Sequence, residues 1–203
     1  MTGYLELPDR MDVADLTTFC ARARRLDASA MRLQAAGQVL GVTVCTQEGH
    51  GLMGEGTVLA LRAFALAQEA DLDVVVSIES VQDRLARLTS AATAGAQHLA
   101  VPPVPVVEQW AAVAPPRGGW EPVATLDGSV VTQVAADGIS EVAASRTSAV
   151  REVVWERPIP GSDVRSAAAL AVHALGFTSP EITVFRQGRW RRLSTPAGHV
   201  LTR

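Results

Sequence analysis

The residues best spaced for chemistry form a glycine-rich loop, Gly49-His50-Gly51-Leu52-Met53-Gly54-Glu55-Gly56. Gly49, Gly51 and Gly54 match the G-x-G-x-x-G spacing that lets a backbone approach a pyrophosphate, and Asp71 and Asp73 follow where a ribose-binding acid would stand. That chemistry requires a strand before the loop and a helix after it, with phosphate held on the helix-start amides. Three features oppose it. Thr46-Gln47-Glu48 separate the apolar run from the first glycine, Glu48 and Glu55 would repel a pyrophosphate, and no repeating βαβ pattern follows. The competing reading makes Thr57–Leu66 a third strand, Asp71-Leu72-Asp73 an acidic turn and Val74-Val75-Val76 a fourth strand, and the balance favours it. A nucleotide-binding enzyme using residues 49–56 is therefore the weaker alternative.

A second constellation is electrostatic. Residues 181–203 carry five arginines (Arg186, Arg189, Arg191, Arg192 and Arg203) against one acid, Glu181, a net of +4. Trp190 lies among them. A basic hairpin after two helices has the order of a winged helix, in which arginines meet phosphates and a tryptophan stacks on a base. The bland reading buries Trp190 beside Ile182 and Val184, because neighbours in a strand point to opposite faces. Nucleic-acid binding through Arg186, Arg189, Trp190, Arg191 and Arg192 is thus an alternative, and the solvated arginine edge outweighs it. Trp110 and Trp120, set among prolines, are candidate walls of a groove for a ligand or partner.

Other chemistries have no residues to run them. The sequence has no Gly-Lys-Ser/Thr phosphate loop and no G-x-S-x-G nucleophile elbow. Cys20 and Cys45 form no C-x-x-C pair. His50, His98, His173 and His199 are not spaced as metal ligands. No catalytic residue, metal or cofactor is assigned, and the chain reads as a non-enzyme.

The 203 residues include no Lys and no Asn, so all 18 basic residues are Arg. Both missing residues use AA-starting codons, and their joint loss with abundant Ala, Val, Arg and Gly indicates a GC-rich genome. An arginine here is therefore not evidence of a chosen phosphate fork. A net charge of -3 and 48% hydrophobic residues describe a globular chain. Acids at Glu6, Asp9 and Asp12 do not suit a signal peptide, and no apolar run reaches membrane-spanning length, so a cytoplasmic protein without membrane contact is expected.

The elements that must position these residues follow from periodicity. Val13, Leu16, Phe19, Cys20 and Ala23 line one face of a helix over 12–25, with acids in its first turn and arginines in its last. Met31, Leu33 and Ala35 alternate as a strand, Gly37-Gln38 turns, and Val39–Cys45 returns as its hairpin partner. Ser80–Ala92 reads as a helix, as do Asp127–Ala144 and the Ala-rich 163–175 stopped by Gly176. His173 reads as half-buried packing in the last of these. Residues 149–155 are a short apolar segment. Ile182–Phe185 and Trp190–Leu193 form a hairpin around Gln187-Gly188, with a further strand at 199–202. Six prolines mark 101–122 as a connector with a short helix near 106–113.

Several stretches resemble an uncharacterised family of actinobacterial proteins of similar length. They are Arg25-Leu26-Asp27 before Met31-Arg32-Leu33, the element Pro115-Pro116-Arg117-Gly118-Gly119-Trp120, and the ending Leu175-Gly176-Phe177 with Gly188-Arg189-Trp190-Arg191-Arg192-Leu193 and Gly198. The resemblance implies a mixed fold and a cytoplasmic location, and no activity.

The expected architecture is one α+β domain over 1–203, with subdomains 1–100 and 123–203 joined by the connector as the variant. An antiparallel N-terminal sheet is flanked by helices, and a mostly helical C-terminal half ends in a β-hairpin. The expected function is a protein-interaction or regulatory module, with a protein partner or self-association. Nucleic acid is the alternative partner.

Overall fold

The computed structural model describes residues 3–51, 54–90, 95–145 and 147–203. The chain is α+β with antiparallel sheets, as its periodicities imply, and it divides into two compact units. The first comprises 1–45 and 61–112, the second 46–60 and 113–203.

In the first unit, β1 (Tyr4–Leu7) pairs antiparallel with β4 (Gln97–Ala100) in the register Tyr4↔Ala100 to Leu7↔Gln97. Helices α1 (Arg10–Arg24) and α2 (Ile78–Ser90) pack on each other, and α2 packs on β4. The Asp9 carboxylate caps α1 by accepting from the amides of Met11 at 2.7 Å and Asp12 at 3.1 Å. The expected apolar face of α1 is buried from Val13 to Ala23, with Phe19 edge-on to Phe64 at 6.5 Å.

The hairpin expected around Gly37-Gln38 does not form. A single strand, β2, runs from Ala30 to Gln47. Buried positions change phase along it, from Met31, Leu33 and Ala35 to Leu40, Val42 and Val44. One extra residue in the strand produces such a shift, and a local turn signal cannot be told from it. Its partner β3 runs from Val58 to Ser77, straight through the expected acidic turn. Asp73 stays in the strand because Arg32 grips its carboxylate with two donors, at 2.7 and 2.8 Å, while Gln34 donates to it at 3.1 Å. Those partners lie about forty residues upstream, out of reach of any local pattern.

In the second unit, β5 (Glu121–Asp127), β6 (Glu181–Gln187), β7 (Trp190–Thr195) and β8 (Gly198–Thr202) form an antiparallel sheet in the order β5-β6-β7-β8, and the start of β3 lies beside β8. Ile182, Val184, Leu193 and Val200 are fully buried on one face, the side of α3 (Gly128–Ala144) and α5 (Ser166–Leu175), with α4 (Ser148–Glu156) beside them. Gly176 ends α5 as expected, at φ 74°. The C-terminal half therefore holds four strands where a terminal hairpin and one further strand were foreseen. Sequence reasoning passed over β5, whose Pro122 argues against a central strand. Its place at the sheet edge removes that objection.

Candidate functional site

The register of β6, β7 and β8 sets out the face of the sheet opposite the helices. Three cross-strand rows lie on it. The first is Gln187–Trp190, with Arg203 just beyond β8 set over the Trp190 ring, the second Phe185–Arg192–Leu201, and the third Thr183–Ser194–His199. None of the nine carries a carboxylate side chain. Trp120 joins them from the segment before β5, and its indole N–H donates to the Pro116 carbonyl at 3.1 Å.

The arginines of this sheet fall into two groups. Those that are ion-paired lie off this face. Arg191 makes a fork with Asp163, its Nε 3.0 Å from each carboxylate oxygen, and it holds the Asp163 carboxyl below the usual range. Arg186 lies 3.9 Å from Glu121, and Arg189 3.6 Å from Glu55. The other two are stacked. The Arg192 guanidinium lies 4.8 Å from the Trp120 ring centre and 4.4 Å from that of Phe185, and the Arg203 guanidinium lies 5.9 Å from that of Trp190. The Nε atoms of Arg192 and Arg203 are buried without a hydrogen-bond partner. Burial pushes Arg192 below the ordinary arginine value, and no carboxylate offsets the shift.

At the third row, His199 Nδ1 lies 3.0 Å from Ser194 Oγ. Burial, then the charge of Arg192, lowers the His199 pKa, so the imidazole is neutral at pH 7. A base with a depressed folded-state pKa binds fewer protons folded than unfolded. Its stability contribution is present above the unfolded value near 6.5 and is lost as pH falls through the lower folded value. We expect the melting temperature to fall between pH 7 and pH 5, and His199→Gln to flatten that slope. An unchanged slope would remove His199 from the account.

The structure disperses the residues singled out from sequence. Trp190 is 5% exposed and part of the packed face, not a free stacking platform. Arg186, Arg189 and Arg191 hold acids of the same unit. Gly49, Gly51 and Gly54 shape the connection between β2 and β3. His50 and Glu55 exchange backbone hydrogen bonds of 2.8 and 3.0 Å, and a Cβ on Gly49 would lie 2.6 Å from the Gly54 carbonyl. Met53 and Leu52 lie outside the described residues. Residues 58–67 are strand, so the loop is followed by a strand and not by the helix start on which the phosphate reading depends. Trp110 is buried in a 3-10 turn (Gln109–Ala112) of the first unit, whereas Trp120 belongs to the second. His173 is exposed in the last turn of α5, not half-buried. Sequence reasoning missed Arg203 and His199 as members of a face. The alternation of 182–185 and 190–193 was the signal, but the pairing of β8 with β7 was needed to read it.

Comparison with known proteins revises the expected function. No curated protein matches the chain. The fold is similar to the DNA polymerase sliding clamp of Caulobacter crescentus, at a TM-score of 0.55 and 10% identity, over 100% of this chain and 65% of the clamp. It is similar to the DNA polymerase III beta subunit of Thermotoga maritima, at 0.51 and 13% over 98% and 64%, and to that of Pseudomonas aeruginosa, at 0.53 and 14% over 98% and 64%. The chain thus spans just under two thirds of the length of these proteins. The expectation of a regulatory or interaction module of undefined kind is corrected by this likeness. So are both alternatives, the regulator using the basic hairpin and the nucleotide-binding enzyme using residues 49–56. Among the described residues no helix is long and apolar enough to cross a membrane. A domain of unknown function, DUF8185, matches residues 115–203, and a second, DUF8010, matches residues 1–112. Because that second match takes in more than half of the 203 residues, the chain belongs to the DUF8010 family.

Proposed function

We propose that the chain is a clamp-like scaffold that works as an assembly of its own copies and holds DNA or a DNA-acting protein. The observation that carries this reading is the likeness to DNA polymerase sliding clamps across 98–100% of the chain. A likeness maintained at 10–14% identity rests on backbone architecture, since so few side chains are shared. Two open edges of the sheet, β2 and β5, support self-association, because unpaired strand edges offer donors and acceptors to another chain. Pro122 withholds one donor on β5, which leaves the longer β2 as the better edge. The actinobacterial kinship and cytoplasmic location expected from sequence belong to this reading, the first supported by the Lys- and Asn-free composition of a GC-rich genome. So does the Pro-rich stretch 101–122 as a connector along the chain.

Light scattering after size exclusion tests it. We expect a mass that is a whole-number multiple of 21.4 kDa and rises with concentration. Duplex DNA retained at low salt and released steeply as salt rises would favour DNA as the held partner. A strict monomer at high micromolar concentration that also ignores DNA would remove the scaffold reading.

A further inference from the structure

We propose that the β6–β7–β8 face carrying Arg192 and Arg203 docks an acidic peptide segment of a partner protein, with the two guanidinia receiving its carboxylates and Trp120 and Phe185 its apolar side chain. This inference is separate from the assembly reading, because it is drawn from the charges of one face.

The first support is charge balance. Arg165, Arg186, Arg189 and Arg191 of the same unit each hold a carboxylate. Among the described residues Arg192 and Arg203 have neither an ion pair nor a side-chain hydrogen bond, and no acidic side chain stands on the nine-residue face. A donor kept from water without a partner is unfavourable, so two buried Nε atoms mark a face whose charge is uncompensated in the isolated chain. The second is geometry. A guanidinium lying on an aromatic ring keeps its planar N–H fork directed sideways, the arrangement that meets a carboxylate with two bonds. The third is the neighbourhood. Thr183, Phe185, Ser194 and Trp120 are half-buried, so each keeps surface for a ligand to cover, and neutral His199 adds no competing cation.

A peptide fits better than a nucleic acid. Two guanidinia neutralise few phosphates, whereas duplex binding typically draws on about 6–10 phosphate contacts.

Fluorescence polarisation with a fluorescein-labelled peptide of alternating Glu and Leu tests the site on the full chain. We expect binding that weakens with added salt. Arg192→Gln and Arg203→Gln should each weaken it by about tenfold, roughly 1.4 kcal/mol. Arg191→Gln, which loses the fork with Asp163 and the donations to the Gly188 and Trp190 carbonyls but neither stacked guanidinium, should leave it unchanged. Thr183→Glu puts a like charge on the face without disturbing the stacked arginines, so it should abolish binding even where an arginine variant fails to fold. The proposal fails if the wild type does not bind the Glu-Leu peptide, if a Lys-Leu peptide binds equally well, or if the double arginine variant binds as the wild type does. Tighter binding of labelled oligothymidylate than of the peptide would overturn it in favour of nucleic acid. Peptide binding by a strict monomer that also ignores duplex DNA would sink the scaffold reading and leave this site standing.

Discussion

Gly128→Ala is expected to destabilise the second unit by about 3 kcal/mol or more, although it replaces a helical glycine with the best helix former. Propensity alone predicts the opposite sign, a gain of about 1 kcal/mol. Sterics decide against it. A Cβ at Gly128 would stand 1.7 Å from the Ser179 carbonyl oxygen, which is backbone and cannot rotate away. The same glycine donates its N–H to the Pro180 carbonyl at 2.8 Å, so the start of α3 is clamped to the chain entering β6. Relief would require the helix start or the strand entry to shift, disturbing the pairing of Asp127 with Glu181 and Leu126 with Ile182. Urea unfolding followed by circular dichroism measures the loss. Gly118→Ala is the control, because a Cβ there meets nothing within 4 Å. Equal stabilities for the two variants would show that the approach at Gly128 is not a constraint.

Trp190→Ala is expected to cost about 3–5 kcal/mol, the range for deleting a buried large aromatic. Trp190 is 5% exposed, sits across from Gln187 and lies under the Arg203 guanidinium. A tryptophan held free for a base would behave differently, since exposed substitutions usually fall within about 0.5 kcal/mol. For a chain of this size the loss corresponds to a drop of roughly 6–20 °C in melting temperature. Trp190→Phe should recover part of it by filling part of the cavity. A melting curve unmoved by Trp190→Ala would contradict the burial and reopen the stacking role.

Local pattern made some of this legible. The apolar face of α1 recurs at helical spacing, so its burial could be read from Val13, Leu16 and Phe19 without the fold. Gly176 after an Ala-rich run marked a helix stop for the same reason. The glycine loop was legible only as turn chemistry. Its resemblance to a phosphate fingerprint is a coincidence of spacing, because the same residue type serves a tight strand connection and a pyrophosphate cradle. Asp71 and Asp73 read as a turn because local statistics place acids there, yet Asp73 is kept in the strand by Arg32 and Gln34.

The candidate site shows the same division. Five arginines and a tryptophan near the C-terminus stood out in the sequence, but their roles did not. Alternation placed Trp190 and Arg191 on opposite faces and went no further. Only the register of β6 with β7 and of β7 with β8 set Arg192 on an acid-free face and gave Arg191 to Asp163, and only the fold laid Arg203 over Trp190 on that face.

The sequence by itself determined the fold class, the helices with one apolar stripe, the strands of the terminal hairpin, and the lack of phosphate-loop and hydrolase signatures. These follow from the spacing of residue types within a dozen positions. The tertiary structure decided that β2 and β3 are long and unbroken, that β5 is a strand, that Gly128 tolerates no side chain, and which arginines remain unpaired. Each of these depends on a partner distant in the chain, and the free energy of a contact depends on that partner as much as on the residue itself.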